Sequence, residues 1–177
     1  MTKMRAYTLI EMLVVLSIFI FIFGAVISIM LASNNSWRNG QYIMTEQQEA
    51  RKAMDNIVRL LRQSNPNWGV TLQDGKILFY KPVFDADGTI NATRWVIFKL
   101  NPDNPTQLIK NEQGMSAVAI ANDIVGLNFT RSSSLVTIKV ETKKNTGFNL
   151  TSEVLLRNAD AALPNGTQVT EPAEGEF

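Results

Sequence analysis

The feature that most constrains this chain is an apolar stretch close to its N-terminus. Residues 12–32 carry no charged side chain. As an α-helix this stretch would extend about 30 Å, because each residue adds about 1.5 Å, and the hydrocarbon core of a membrane is about as thick. The sequence therefore predicts one membrane-spanning helix that begins almost at the start of the chain.

The charged residues around this stretch predict its orientation. Lys3 and Arg5 precede it and little basic sequence follows it directly, which favours a cytoplasmic N-terminus and an exported remainder. A single carboxylate, Glu11, lies in the apolar register near the beginning of the helix. A charge costs about 2.5–3.5 kcal/mol at the centre of a membrane helix and less near its edge, so we expect Glu11 to have a cationic partner.

The N-terminal residues resemble the prepilin family, the precursors of type IV pilins and of the pseudopilins of type II secretion. The matching features are a short basic leader ending at Ala6, an aromatic residue at Tyr7, and the run Thr8-Leu9-Ile10-Glu11 before the hydrophobic helix. Glycine is usual in the family at the position of Ala6, and phenylalanine at the position of Tyr7. The resemblance covers only this N-terminal segment.

The resemblance implies cleavage between Ala6 and Tyr7 by a prepilin peptidase, and N-methylation of the new amine at Tyr7. It also implies that Glu11 serves filament assembly by pairing with the amine of a neighbouring subunit. The implied partners are other pilin or pseudopilin subunits, the inner-membrane assembly platform and membrane lipid. The implied location is the bacterial inner membrane, as a single-pass protein with its N-terminus cytoplasmic and its globular domain outside, and then a pilus or pseudopilus.

Composition removes several other classes of function. The chain has no cysteine and no histidine, which excludes disulfides, thiolate or imidazole metal sites and Ser-His-Asp catalysis. Its formal net charge is +1, so no direct nucleic-acid binding is predicted. We predict a protein that is not an enzyme and has no cofactor, while a hydrolase that uses two close carboxylates stays open as an alternative.

The predicted domain organisation has five segments. They are a leader at 1–6, a transmembrane helix at 7–32, an amphipathic helix continuing the span at 33–65, an antiparallel β domain at 66–158 and a disordered tail at 159–177. The amphipathic helix carries a periodic stripe at Ile43, Gln47, Ala50, Met54, Ile57 and Leu61. We expect this stripe to pack on the sheet of its own domain, and a partner helix is the alternative.

Alternation of apolar and polar residues predicts the strands. The predicted ranges are 70–73, 76–81, 95–100, 107–110, 127–131, 135–142 and 148–157. Asp74-Gly75 is typical of a hairpin turn. The predicted fold class is α+β and pilin-like: a long N-terminal helix, membrane-spanning in its first half, is packed on an antiparallel β-sheet that has one covered face.

Residues 85–91 combine alternate acidic side chains with a glycine. Asp85 and Asp87 are weak calcium candidates, because carboxylate oxygens are the ligands that this cation prefers. The helix-loop-helix calcium template is not met, since Gly88 comes too early and Val96 stands where a glutamate would be required. A solvated hairpin turn is the favoured interpretation, and no metal site is predicted.

The C-terminal half resembles, more loosely, the J-type minor pseudopilins and W-type minor pilins. The similar segments are 122–129, the strand pair that follows, and 153–158. This resemblance implies a structural minor subunit of a type IV pilus or type II secretion filament that helps prime or cap assembly at the tip. The alternatives are a secretory signal, a plain single-pass anchor, and a non-polymerising membrane-anchored binding domain that faces the exterior.

Overall fold

The structure is a computed structural model and describes residues 8–64, 68–142 and 147–156. Its elements in chain order are α1 (Leu9–Leu61), β1 (Val70–Gln73), β2 (Lys76–Phe84), β3 (Ile90–Leu100), β4 (Leu108–Glu112), β5 (Val118–Ala121), β6 (Ile124–Ser132), β7 (Leu135–Thr142) and β8 (Asn149–Leu155). The predicted α+β class is confirmed, because a long N-terminal helix packs on antiparallel sheets. The predicted leader at 1–6 and tail at 159–177 lie outside the described residues.

The chain forms two compact units, Met1–Ile43 and Met44–Phe177. In the first unit, the side chains of α1 from Leu9 onward are almost all exposed. The second unit contains the remainder of α1 and the eight strands. The predicted amphipathic segment therefore begins to bury its side chains only within the second unit.

The buried side of α1 packs on its own domain. Its buried residues are Glu46, Ala50, Ala53, Met54, Ile57, Leu60 and Leu61, and the apolar members join the main core together with side chains from both sheets. The expected packing of the stripe is thus confirmed for Ala50, Met54, Ile57 and Leu61. Ile43 is 38% exposed, and the stripe is continued toward the N-terminus by the carboxylate of Glu46, which is 7% exposed.

The strands form two antiparallel sheets in which every strand pairs with its neighbour in the sequence. β1 to β5 make a five-stranded sheet and β6 to β8 make a three-stranded sheet. Asn122 and Asp123 separate β5 from β6, and Asp123 has a φ of 59°. This left-handed conformation is tolerated by aspartate better than by most residues, which suits it to a tight turn between the sheets.

A long-range hydrogen bond ties this turn to α1. The backbone amide of Asn122 donates to Glu49 Oε2 at 2.9 Å, and Glu49 also forms an ion pair with Lys52 on the same helix. Burial raises the pKa of Glu49, but the hydrogen bonds from Lys52 and Asn122 outweigh that effect and hold the pKa below its usual value. Glu49 therefore stabilises the packing of α1 against the turn as a carboxylate.

Two adjacent strands of the five-stranded sheet, β2 and β3, are buried on both faces. The inner face of this sheet, which we define as the face that packs against α1, carries Ile77, Phe79, Val96 and Phe98. Its outer face carries Leu78, Tyr80, Trp95 and Ile97, which are also buried. The expectation of one covered face is therefore wrong for β2 and β3, and the continuous apolar runs 77–80 and 95–98 are the sequence signal of strands buried on both sides.

Candidate functional site

The N-terminus of α1 is closed by reciprocal hydrogen bonds between Thr8 and Glu11. The backbone amide of Thr8 donates to Glu11 Oε2 at 2.9 Å, and the Thr8 hydroxyl donates to the same oxygen at 3.2 Å. In return, Thr8 Oγ1 lies 3.4 Å from the amide nitrogen of Glu11. This is a capping box, in which two side chains satisfy amide donors that a helix end leaves without partners.

Glu11 is therefore bound to its own helix through one carboxylate oxygen. Both hydrogen bonds from Thr8 end on Oε2, and none of the described residues donates to Oε1. The carboxylate also lies in the first turn, where the partial positive charge of the helix end stabilises an anion by about 0.3–1 kcal/mol at an exposed site. The arrangement holds Glu11 in place through Oε2.

The helix that follows Glu11 presents an apolar surface. α1 is a helix that is long and apolar enough to cross a membrane. None of the residues in its most apolar stretch is buried within the described structure. The polar side chains inside this stretch bond to their own backbone: Ser17 Oγ donates to the carbonyl of Val14 at 2.7 Å, and Ser28 Oγ donates to that of Gly24 at 2.9 Å. Such internal bonds suit a segment that lies in lipid or against other helices.

Only part of the predicted site lies within the described residues. Ala6 and Tyr7, the predicted cleavage and methylation positions, fall outside them, while Glu11 is described. Sequence reasoning missed Thr8 as the residue that holds the carboxylate. The signal was present, because a threonine followed three residues later by a glutamate, just before an apolar run, is the pattern of a capping box.

The weak calcium candidates lie in the turn between β2 and β3. Asp87 Oδ1 accepts hydrogen bonds from the Thr89 amide at 3.0 Å and the Thr89 hydroxyl at 2.7 Å, and these bonds lower the pKa of Asp87. The amide of Asp85 donates to the carbonyl of Thr89 at 2.8 Å. The structure thus gives the Asp87 carboxylate a local role in the turn, and within the described ranges no three acidic, histidine or cysteine side chains form a metal-binding group.

A separate charged cluster lies where β4 ends. Glu112 is 2% exposed, with Lys81 Nζ 2.5 Å from its Oε1 and Lys110 Nζ 3.2 Å from its Oε2. Burial raises the pKa of Glu112, but the two ammonium groups outweigh burial and hold the pKa below its usual value. The cluster joins β2 to β4 across β3. One carboxylate lies between two lysine side chains, which is typical of ion pairs that stabilise a fold.

This cluster predicts an acid-sensitive contribution to stability. Because the pKa of Glu112 is lower in the folded chain than in the unfolded chain, its contribution is complete above the unfolded value of about 4.3 and is lost as the pH falls through the folded value. We expect Glu112→Gln to lower the free energy of unfolding at pH 7 and to flatten its decline between about pH 5 and pH 3. Urea unfolding at several pH values measures both effects.

The exposed carboxylate Glu153 on β8 provides the control for this experiment. Glu153→Gln should leave stability at pH 7 almost unchanged, because surface substitutions away from special features usually change it by less than about 0.5 kcal/mol. Equal acid dependence in the wild-type chain and in Glu112→Gln would contradict the assigned role of Glu112.

Taken together, these features define an α+β protein with one N-terminal helix that is long and apolar enough to span a membrane and that begins with a capped glutamate. Comparison with known proteins adds no relative: no family model, no curated protein and no solved structure matches the chain.

Proposed function

We propose that this protein is a structural minor subunit, a minor pilin or pseudopilin, of a type IV pilus or a type II secretion filament. The observation that carries the proposal is Glu11, fixed by Thr8 at the start of an exposed apolar helix that leads into a compact α+β domain. The capping box accounts for one oxygen of this carboxylate, and a charge at the edge of lipid is stabilised further by a cationic partner.

In this proposal Glu11 acts as a positioned acceptor during subunit docking. Thr8 holds the carboxylate through Oε2, and Oε1 receives the amine of a neighbouring subunit after its leader has been removed. A hydrogen bond between charged groups is stronger than one between neutral groups, and more so away from water. Pairing with this amine would offset the free-energy cost of the Glu11 charge near lipid. The same contact would fix the position of the incoming helix along the filament axis.

The proposed partners are other pilin or pseudopilin subunits, a prepilin peptidase, the inner-membrane assembly platform and membrane lipid. The helix would span the inner membrane with its N-terminus cytoplasmic and the α+β domain outside. The subunit would then enter the filament and help prime or cap assembly at its tip. No catalytic role is proposed, because the function rests on packing of helices and on one charge pair.

Processing provides the direct test of this proposal. We expect cleavage between Ala6 and Tyr7 in the native host, since a small residue there follows a basic leader and precedes an aromatic residue. Intact-mass analysis and N-terminal sequencing would measure the new terminus, and methylation would add the mass of one CH2 unit, because a methyl group replaces one hydrogen of the amine. Ala6→Gly should still be cleaved, whereas a bulky residue in Ala6→Leu should block cleavage. A mature chain that begins near Ser33, or one that retains Met1, would overturn the prepilin assignment.

A further inference from the structure

The strand β8 (Asn149–Leu155) forms one edge of the three-stranded sheet. It pairs with β7 along its whole length, and none of the described strands pairs with its other side. An edge strand presents a row of backbone N–H and C=O groups without strand partners, and another chain can bind to that row. The free side of β8 is therefore a candidate interaction surface.

Two hydrogen bonds show which backbone groups of β8 face outward. The Leu156 amide donates to the carbonyl of Ser134 at 2.9 Å, and the Thr142 amide donates to the carbonyl of Phe148 at 3.1 Å. Backbone groups point to alternate sides along an antiparallel strand, so the even-numbered residues between 148 and 156 also face β7. The N–H and C=O groups that face away belong to four exposed odd-numbered residues, Asn149, Thr151, Glu153 and Leu155.

This edge lacks the features that usually prevent strand addition. Such features are a short strand, a proline, a lysine, a bulge or a covering element. β8 has seven residues, contains no proline, lysine or arginine, and pairs with β7 without a register shift. The opposite edge, β6, has a register shift between Ile124 and Gly126 and lies beside β1, where Arg131 Nη1 donates to the Val70 carbonyl at 3.5 Å. β8 is thus the long, regular and uncovered edge among the described strands.

The side chains beside this edge indicate what kind of strand fits. On the inner side, Phe148 and Leu150 are only partly buried against the main core, so an added strand with apolar residues would complete their burial. On the outer side, Glu153 is the charged residue of β8, and Leu155 is 58% exposed. Because opposite charges that face each other across two strands are stabilising and like charges are destabilising, a basic residue fits opposite Glu153.

We propose that β8 is a docking edge for an extended segment of a partner protein, which joins the three-stranded sheet as a fourth strand. Backbone hydrogen bonds to the outward groups of β8 would hold the segment, and its side chains would determine the choice of partner. The segment alternates apolar and polar residues and places a lysine or arginine opposite Glu153. A second copy of β8 does not fit this description, since it has no basic residue. The inference does not rest on the proposed filament role.

A synthetic peptide with the sequence of β7, Leu135–Thr142, is the probe for this edge. The sequence pairs antiparallel with the other side of β8 in the fold and carries Lys139 between two apolar residues. Amide hydrogen exchange is followed by NMR in the full-length protein in detergent micelles. We expect exchange at Thr151, Glu153 and Leu155 to slow about tenfold when the free peptide is at about ten times its Kd, because about a tenth of the edge then stays unbound.

Charge variants test the choice of partner. Glu153→Lys should raise the Kd of the peptide by about two- to fivefold, and replacing Lys139 of the peptide by glutamate should restore binding to this variant. Asp103→Lys, which makes the same change of charge in the exposed loop between β3 and β4, is the matched control and should leave the Kd unchanged.

A backbone variant tests the mode of binding. Thr151→Pro removes an N–H that faces the free side, and proline is tolerated in an edge strand at such a position. It should abolish the slowing at Glu153 while the amides of Ser152 and Val154 stay protected by β7.

Three results would overturn the proposal. They are unchanged exchange at the outward amides, equal peptide affinity of the Glu153→Lys and Asp103→Lys variants, and slowing that appears without peptide as the protein concentration rises. The last result would assign the edge to a second copy of the chain.

Discussion

On the proposed role as a filament subunit, Glu11→Gln is expected to abolish incorporation into the filament while the helix stays capped, inserts into the membrane and is cleaved after Ala6. Glutamine can replace glutamate in a capping box, so the hydrogen bond that joins the side chain to the Thr8 amide at 2.9 Å is kept. The negative charge is lost, and with it the proposed pairing with an incoming amine. Membrane extraction, N-terminal sequencing and quantification of the subunit in sheared filaments measure the three steps separately.

Two further variants distinguish the role of Glu11 in capping the helix from the role of its negative charge. Thr8→Ala removes the hydroxyl that bonds to the carboxylate but keeps the charge of Glu11, and the loss of such a cap costs about 0.5–2 kcal/mol of helix stability. We expect Thr8→Ala to reduce incorporation only partly, and Glu11→Ala to reduce it at least as much as Glu11→Gln. Normal incorporation of Glu11→Gln together with failure of Thr8→Ala would show that Glu11 serves only to begin the helix.

The second large effect is expected from Ile57→Ala in the buried side of α1. Ile57 is fully buried in the main core, and replacing a buried isoleucine with alanine costs about 2–5 kcal/mol through lost burial and the cavity that remains. We expect this loss in urea unfolding of residues 37–177, a fragment that should be soluble without detergent because its helix packs on its own sheets. Ile57→Val should cost only about 0.5–1.5 kcal/mol.

Met44→Ala is the control for the helix, because Met44 lies in the same compact unit and is 67% exposed. It should change the free energy of unfolding by less than about 0.5 kcal/mol. Similar costs for Met44→Ala and Ile57→Ala, or aggregation of the fragment in every buffer, would instead assign the stripe of α1 to a partner helix.

Sequence patterns were sufficient to predict the helix and the strands in which apolar residues recur at a regular spacing. The apolar run and the spacing of Ala50, Met54, Ile57 and Leu61 predicted α1 and its buried side, and alternation predicted seven of the eight strands at least in part. β5 was missed because Val118-Ala119-Ile120-Ala121 alternates only in size and has no polar side chain. The division into two sheets was also not predicted, because alternation identifies strands and not which strands pair.

The candidate site was predicted to a smaller extent. Glu11 could be identified because a lone carboxylate in an apolar run is costly, but the role of Thr8 required the geometry of the helix end. The contact of Glu49 with Asn122 joins residues 73 positions apart, and no local pattern indicates such a pair. The same holds for Glu112, whose partners Lys81 and Lys110 lie on two different strands.

Within each sheet, the strands pair only with their neighbours in sequence, and this has a consequence for how the domain folds. Hairpins close short loops, so β1 to β5 can pair one after another in the order in which ribosomes synthesise them. The hydrogen bond between Asn122 and Glu49 can form only after β5 has been made. Docking of α1 on this turn should therefore be a late step, and we expect Glu49→Ala, which removes the acceptor of this bond, to speed unfolding more than it slows folding.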